Sequence, residues 1–64
     1  MEMKKNQPRQ LSTNFWMMYD DEGPVGCIER RSAGVYLAFT VAGNELPAFA
    51  TLEAAAAALV NFPR

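Results

Sequence analysis

A run of five alanines at residues 54–58 constrains the fold of this chain more than any other stretch. Alanine has the highest helix propensity, Thr51 is a favourable N-cap, and Pro63 cannot continue a helix. The sequence therefore predicts one helix that begins after Thr51 and stops before Pro63. Helical spacing predicts that its sheet-facing side carries Leu52, Ala55, Ala56, Leu59 and Val60.

The segments before this helix have the composition of β-strands separated by turns. Residues 15–19, 25–31, 35–42 and 46–50 are rich in aromatic and aliphatic side chains, and glycine, proline, asparagine or aspartate lies between them. Residues 1–10 show no apolar periodicity and are predicted to be a flexible basic tail, with residues 11–64 as a single domain. The predicted fold class is α+β: a four-stranded antiparallel sheet in the order β-β-β-β-α, with the C-terminal helix packed on one face.

Both faces of this predicted sheet are apolar, so one of them must be assigned to the helix. Strand alternation places four apolar residues on one face, which is predicted to lie under the helix: Val35, Leu37, Phe39 and Val41. In that arrangement the core would bury a single group of residues: Leu37, Phe39, Leu52 and Leu59. The second face would then be exposed, and it would carry Trp16, Met18, Tyr36 and Ala38.

Two surfaces of the predicted monomer would expose apolar residues to water. One is the second sheet face, and the other is the outer side of the helix, where charged residues are normally found. Alanines allow a second backbone to approach closely, and a two-fold dimer is the commonest closed assembly. Either surface could form the contact, and the predicted protein-binding residues are Trp16, Met18, Tyr36, Ala38, Ala54, Ala57 and Ala58.

The residue types needed for common catalytic and metal sites are scarce in this sequence. It contains no histidine and a single cysteine, Cys27, so an internal disulfide and the usual zinc ligand sets cannot form. Cys27 lies in an apolar strand, where a buried and unreactive thiol is expected. The adjacent carboxylates at residues 20–22 lack the spacing of a calcium loop. We predict that the protein is not an enzyme and has neither a metal nor a cofactor.

Charge and hydropathy restrict the partners and the location. The chain has six basic and seven acidic residues, a formal net charge of -1, whereas duplex-binding domains usually have a basic excess. The sequence shows no apolar run of transmembrane length and no signal-peptide pattern. One unpaired cysteine agrees with a reducing compartment. We therefore expect a cytoplasmic protein that does not bind membranes.

One group of residues supports nucleic-acid binding as an alternative. Arg30 and Arg31 end the second predicted strand, and Tyr36 follows in the next. Arginine beside aromatic side chains can hold and stack nucleic acid. The basic tail could contact phosphate as well.

Three segments also resemble a known family. Residues 26–31, 34–38 and 49–54 are similar to the small arm-binding domains at the N-terminus of phage and transposon tyrosine integrases, and to related small prokaryotic β-β-β-α domains. The resemblance implies a sheet that enters the DNA major groove, with groove-facing roles for Arg30, Arg31 and Tyr36. The chain departs from the family pattern in its extra first strand, its acidic turn and its lack of lysine on the sheet.

The function predicted from the sequence is a non-enzymatic protein–protein interaction module. We expect a homodimer that also binds a larger protein, in the manner of small phage or mobile-element inhibitors and regulators. A nucleic-acid-binding sheet domain of the integrase arm-binding type is the alternative.

Overall fold

A computed structural model describes residues 8–62 and shows one antiparallel sheet with one helix. The strands follow one another across the sheet in chain order, from β1 to β4, and the helix α1 comes last. This arrangement confirms the predicted α+β class. The elements are β1 (Arg9–Ser12), β2 (Phe15–Asp20), β3 (Gly23–Ser32), β4 (Val35–Thr40) and α1 (Leu52–Asn61).

The set of four strands differs from the predicted set at both ends. Arg9 and Gln10, which the sequence assigns to the tail, pair with Met17 and Trp16 in β1. Pro8 belongs to no strand, and residues 1–7 of the predicted tail lie outside the described residues. β1 has one apolar residue, Leu11, which is 52% exposed, so its pairing comes from the backbone and leaves no apolar pattern in the sequence.

The predicted fourth strand at residues 46–50 is wrong. This segment follows the outer edge of β4 but forms only isolated bridges, at Glu45 and Phe49. Phe49 exchanges two backbone hydrogen bonds of 2.8 Å with Tyr36. Pro47 lies between the two bridges and has no N–H to donate, so a continuous ladder cannot form there.

The helix begins and ends close to the predicted positions. The Thr51 hydroxyl accepts a hydrogen bond from the backbone N–H of Ala54 at 3.1 Å, and Glu53 lies in the first turn. Such a cap satisfies one of the unpaired N–H groups at the helix start. The helix ends at Asn61, while Pro63, the predicted stop, lies outside the described residues.

The core lies between the helix and one face of the sheet, but this is the face opposite to the predicted one. Ala55, Ala56 and Leu59 are buried, and Leu52 and Val60 pack beside them, which confirms the predicted inner side of the helix. The sheet contributes Met18, Val25, Ile28 and Ala38 to this core. Leu37 and Phe39 point away from the helix, so the predicted burial of these two residues with Leu52 and Leu59 is wrong. Val41, also predicted to lie under the helix, is 59% exposed.

Small side chains explain why the helix packs on this face. The helix presents Ala55 and Ala56 to the sheet, and Ala38 and Gly26 lie on the sheet surface below. Gly26 is buried under Leu59: a Cβ atom at this position would lie 2.8 Å from Leu59 Cδ2 and closer still to the carbonyl oxygen of Phe39. The bulkier side chains on the opposite face of β4, Leu37 and Phe39, would keep an alanine helix too far away for close packing.

Among the described residues, no helix is both long enough and apolar enough to cross a membrane.

Candidate protein interface

The sheet face opposite the helix is apolar. Its side chains follow from strand alternation: Met17 lies between the core residues Trp16 and Met18, and therefore projects to the other side. Cross-strand partners share a face, which places Cys27 and Phe39 beside Met17. No element of residues 8–62 covers these side chains. We call this surface the open face, and it consists of Phe15, Met17, Cys27, Leu37 and Phe39.

The residues of the open face form two continuous rows across the sheet. Met17, Cys27 and Phe39 are directly paired in the middle row. Phe15, Glu29 and Leu37 form the next row towards the β3–β4 turn. All these residues are half-buried, because large neighbours cover one another's flanks and leave the outer surfaces accessible. The result is a largely apolar surface that spans three strands and is interrupted by Glu29 on β3.

Charged groups lie at the margin of this surface and, at Glu29, within its second row. Within β3, Arg31 Nε donates a hydrogen bond of 3.3 Å to Glu29 Oε1, and both side chains are partly exposed. Arg9 is the partner of Met17 at one edge of the middle row, and Glu45 is the partner of Phe39 at the other edge. The apolar residues of the middle row therefore carry no charge between Arg9 and Glu45, whereas Glu29 lies between Phe15 and Leu37 in the next row.

Cys27 occupies the centre of the middle row, and its surroundings disfavour the reactive thiolate. Partial burial, and secondly the negative charge of Glu29, raise the pKa of the Cys27 thiol above its ordinary value of 9.0. A thiol with a raised pKa stays protonated at neutral pH and is a poor nucleophile. Here Cys27 acts as a small apolar side chain.

The structure changes the predicted protein-binding surface on the sheet. Met18 and Ala38 are fully buried under the helix, and Trp16 and Tyr36 pack against the same core. Their assignment to an exposed second face is wrong, because the helix covers the face to which they belong. The sequence carries a signal for this choice: the small residues Gly26 and Ala38 are needed where an alanine helix comes close.

The predicted helix surface is only partly accessible. Ala54 and Ala57 are exposed, whereas Ala58 is half-buried. Ala57 also lines a shallow groove of 450 Å³ along the helix, together with Leu52, Ala56 and Val60.

Of the three residues predicted for nucleic-acid binding, Arg30 and Tyr36 are neighbours, whereas Arg31 lies apart from them. Arg30 is directly paired with Tyr36, and the ring of Tyr36 lies 6.0 Å from that of Trp16 at an angle of 52°. This places an exposed arginine beside two aromatic rings at one end of the helix-covered face. Arg31 lies at a β-bulge and contacts Glu29 instead.

A hydrogen bond within the turn helps to fix the acidic segment at residues 20–22. Asp20 accepts a hydrogen bond from the backbone N–H of Glu22 at 2.8 Å through its Oδ1 atom. Within residues 8–62, no group of three or more potential ligands is close enough to hold a metal ion.

No family model, no curated protein and no solved structure matches this chain.

Proposed function

We propose that this protein is a non-enzymatic interaction module that binds another protein through the open face. The observation that carries the proposal is the largely apolar surface on the side of the sheet away from the helix. An antiparallel sheet with one face in water normally alternates apolar and polar side chains. Here Phe15, Met17 and Phe39 stand where that rule places polar residues.

The size of the patch supports a macromolecular partner. Single apolar residues on a protein surface are common, but a contiguous group of five is typical of an interaction site. Aromatic side chains and methionine are also the residues enriched in protein interfaces. Leu37 and Phe39 on β4, next to Cys27 on β3, supply a flat surface that another protein could cover without leaving buried charges unpaired.

The charges favour a protein over a nucleic acid as this partner. Binding of a phosphate backbone needs several cations on the contact surface. The open face has two arginines at its margin, Arg9 beside Met17 and Arg31, which already contacts Glu29, and the whole chain has a net charge of -1. The raised pKa of Cys27 and the absence of histidine from the sequence support a role in binding rather than in catalysis.

Site-specific photo-crosslinking in cells tests the proposal. We expect p-benzoylphenylalanine in place of Phe39, or in place of Phe15, to give discrete protein adducts on irradiation, because both positions lie on the open face. The same residue in place of Ala57, on the outer side of the helix, is the matched control and should give few adducts. Adducts at Ala57 together with none at Phe39 or Phe15 would contradict the proposal.

Nucleic-acid binding is a second candidate, supported by the position of Arg30 beside Tyr36 and Trp16. It uses the helix-covered face rather than the open face. Duplex binding that weakens steeply with salt and is lost in the Arg30→Ala variant would favour it. Binding that is undetectable at physiological salt would remove it.

A further inference from the structure

We propose that the pairing with β2 continues past the start of β1 towards the N-terminus, so that two lysines, Lys4 and Lys5, reach the acidic turn at residues 20–22. The described part of β1 stops beside Met17, whereas β2 continues towards this turn. Residues 1–7 lie outside the described residues, and their place follows from the register, backbone direction and charge of the residues beside them.

The register of β1 and β2 fixes where the preceding segment meets β2. Arg9 lies opposite Met17, and Gln10 lies opposite Trp16. Because this pairing is antiparallel, each residue before Arg9 comes beside a residue further along the chain from Met17. The resulting neighbours are Pro8 with Met18, Gln7 with Tyr19, Asn6 with Asp20, Lys5 with Asp21 and Lys4 with Glu22. We call residues 4–8 in this position the strap.

Pro8 supports the first step of this continuation. Strand alternation places the side chain at position 8 on the helix-covered face, as it does for Met18. Pro8 indeed lines the groove along the helix, beside Leu52 and Val60. The chain therefore still follows β2 in the continued register at the last residue that the structure describes.

The direction of the backbone N–H groups allows a proline at this position. Even-numbered residues of β3 bond towards β2, as in the 2.9 Å hydrogen bond from the Arg30 N–H to the Asn14 carbonyl oxygen. Their even-numbered partners on β2 bond back to β3, so Met17 and Tyr19 direct their backbone groups towards β1. The matching positions before β2 are also odd, and Pro8, at an even one, faces away from the sheet. An edge strand tolerates proline at such a position, because no ladder hydrogen bond needs its missing N–H.

Charge complementarity favours the far end of the strap. Residues 20–22 are all acidic, and Lys4 and Lys5 are the only basic residues before Pro8 in this sequence. The continued register brings both lysines beside the last two of these three carboxylates. Opposite charges on neighbouring strands stabilise a pairing that has little apolar area to contribute.

A strap held by exposed charges is sensitive to salt. The distance over which charges interact falls from about 10 Å at 0.1 M to about 3 Å at 1 M ionic strength. At high salt, or with a polyanion bound to the lysines, the edge of β2 beside Tyr19 would open and offer backbone groups to another strand. The strap is therefore a device that closes a strand edge and is released by competing ions.

Hydrogen exchange of the Tyr19 amide, followed by NMR in the full chain, tests this pairing. We expect its N–H to be protected by the carbonyl oxygen of Gln7, and the protection to fall in 1 M salt. Gln7→Pro should speed this exchange about tenfold, because position 7 loses an N–H that faces β2. Asn6→Pro is the matched control and should leave it unaltered, because the N–H of position 6 faces away from the sheet.

Reversal of the charges tests the lysines. Lys4→Glu together with Lys5→Glu should speed Tyr19 exchange about fivefold, and the further changes Asp21→Lys and Glu22→Lys should restore the slow exchange. Exchange is expressed relative to the Met17 amide, which pairs within the described ladder, so that general unfolding cancels. An unprotected Tyr19 amide, equal effects of the two proline variants, or no recovery after the full charge swap would overturn the inference.

Discussion

Gly26→Ala is expected to lower the free energy of unfolding by about 3 kcal/mol or more, at the upper end of the cost of overpacking a core. The added Cβ would meet the Phe39 carbonyl oxygen of the neighbouring strand, and Leu59 Cδ2 at 2.8 Å. The leucine can rotate away, but the carbonyl belongs to the β3–β4 ladder and can move only if the ladder opens. For a domain whose total stability is about 5 kcal/mol, this change leaves little.

Urea unfolding followed by tryptophan fluorescence measures this effect, since Trp16 packs against the core. Cys27→Ala is the control, because it alters the next residue of the same strand on the opposite face and keeps its Cβ. We expect that control to stay close to the parent. A Gly26→Ala protein that unfolds at the parental urea concentration would show that the Phe39 carbonyl of β4 is farther from Gly26 than the structure indicates.

Leu59→Ala and Phe39→Ala are expected to differ clearly in cost, although the sequence alone places both in one core. Leu59 is 2% exposed and lies between helix and sheet, so its truncation should cost about 2–5 kcal/mol. Phe39 is half-buried on the open face, and its truncation should cost about half as much in the monomer, where its outer surface is already in water.

The comparison must be made with the purified protein in dilute solution, so that no partner covers the open face. A partner bound there would raise the cost of Phe39→Ala, because the same side chain would then lie in the interface. A larger cost for Phe39→Ala than for Leu59→Ala in dilute solution would mean that the core has been assigned to the wrong face.

The helix and the three longer strands were predictable from local chemistry. The alanine run with Thr51 at its start predicts α1 to within a residue at its beginning, because helix propensity and capping act over a few neighbouring positions. Aromatic and β-branched runs between turns predict β2, β3 and β4 for the same reason. By contrast β1 is held by backbone pairing with β2, and its polar residues carry no local signal.

The choice of sheet face was not predictable from periodicity, because both faces are apolar. The larger set, Leu37 and Phe39 with their neighbours, has the greater hydrophobicity and therefore predicts the wrong face. The deciding factor is side-chain volume. An alanine helix packs closely only where the side chains of the sheet are small, as they are at Gly26 and Ala38. This complementarity joins residues distant in the sequence and becomes evident only when the two surfaces are considered together.

The same inversion changes the predicted interface. Trp16, Met18, Tyr36 and Ala38 were expected at an exposed surface, and the structure packs them against the helix. One sheet face is still apolar and uncovered by the helix, but it carries the residues of the open face instead. The helix alanines, which the sequence also offers as an interface, remain a testable alternative through Ala57.

The central claim is that the helix covers the Met18, Ile28 and Ala38 face and leaves the Cys27 face open, and thiol labelling tests it most directly. The parent protein carries its thiol on the open face. A Cys27→Ala, Ile28→Cys variant carries it one residue further along β3, in the core, where Ile28 is fully buried. Both proteins are alkylated in dilute native buffer at the same pH, with labelling in urea as the control for intrinsic reactivity.

We expect the parent to react from its native state. The variant should react on the order of a hundredfold more slowly, because its thiol becomes accessible only when the domain opens. The raised pKa of Cys27 slows the parent and therefore works against this result. Faster labelling at position 28 than at Cys27 would place the helix on the other face and contradict the account.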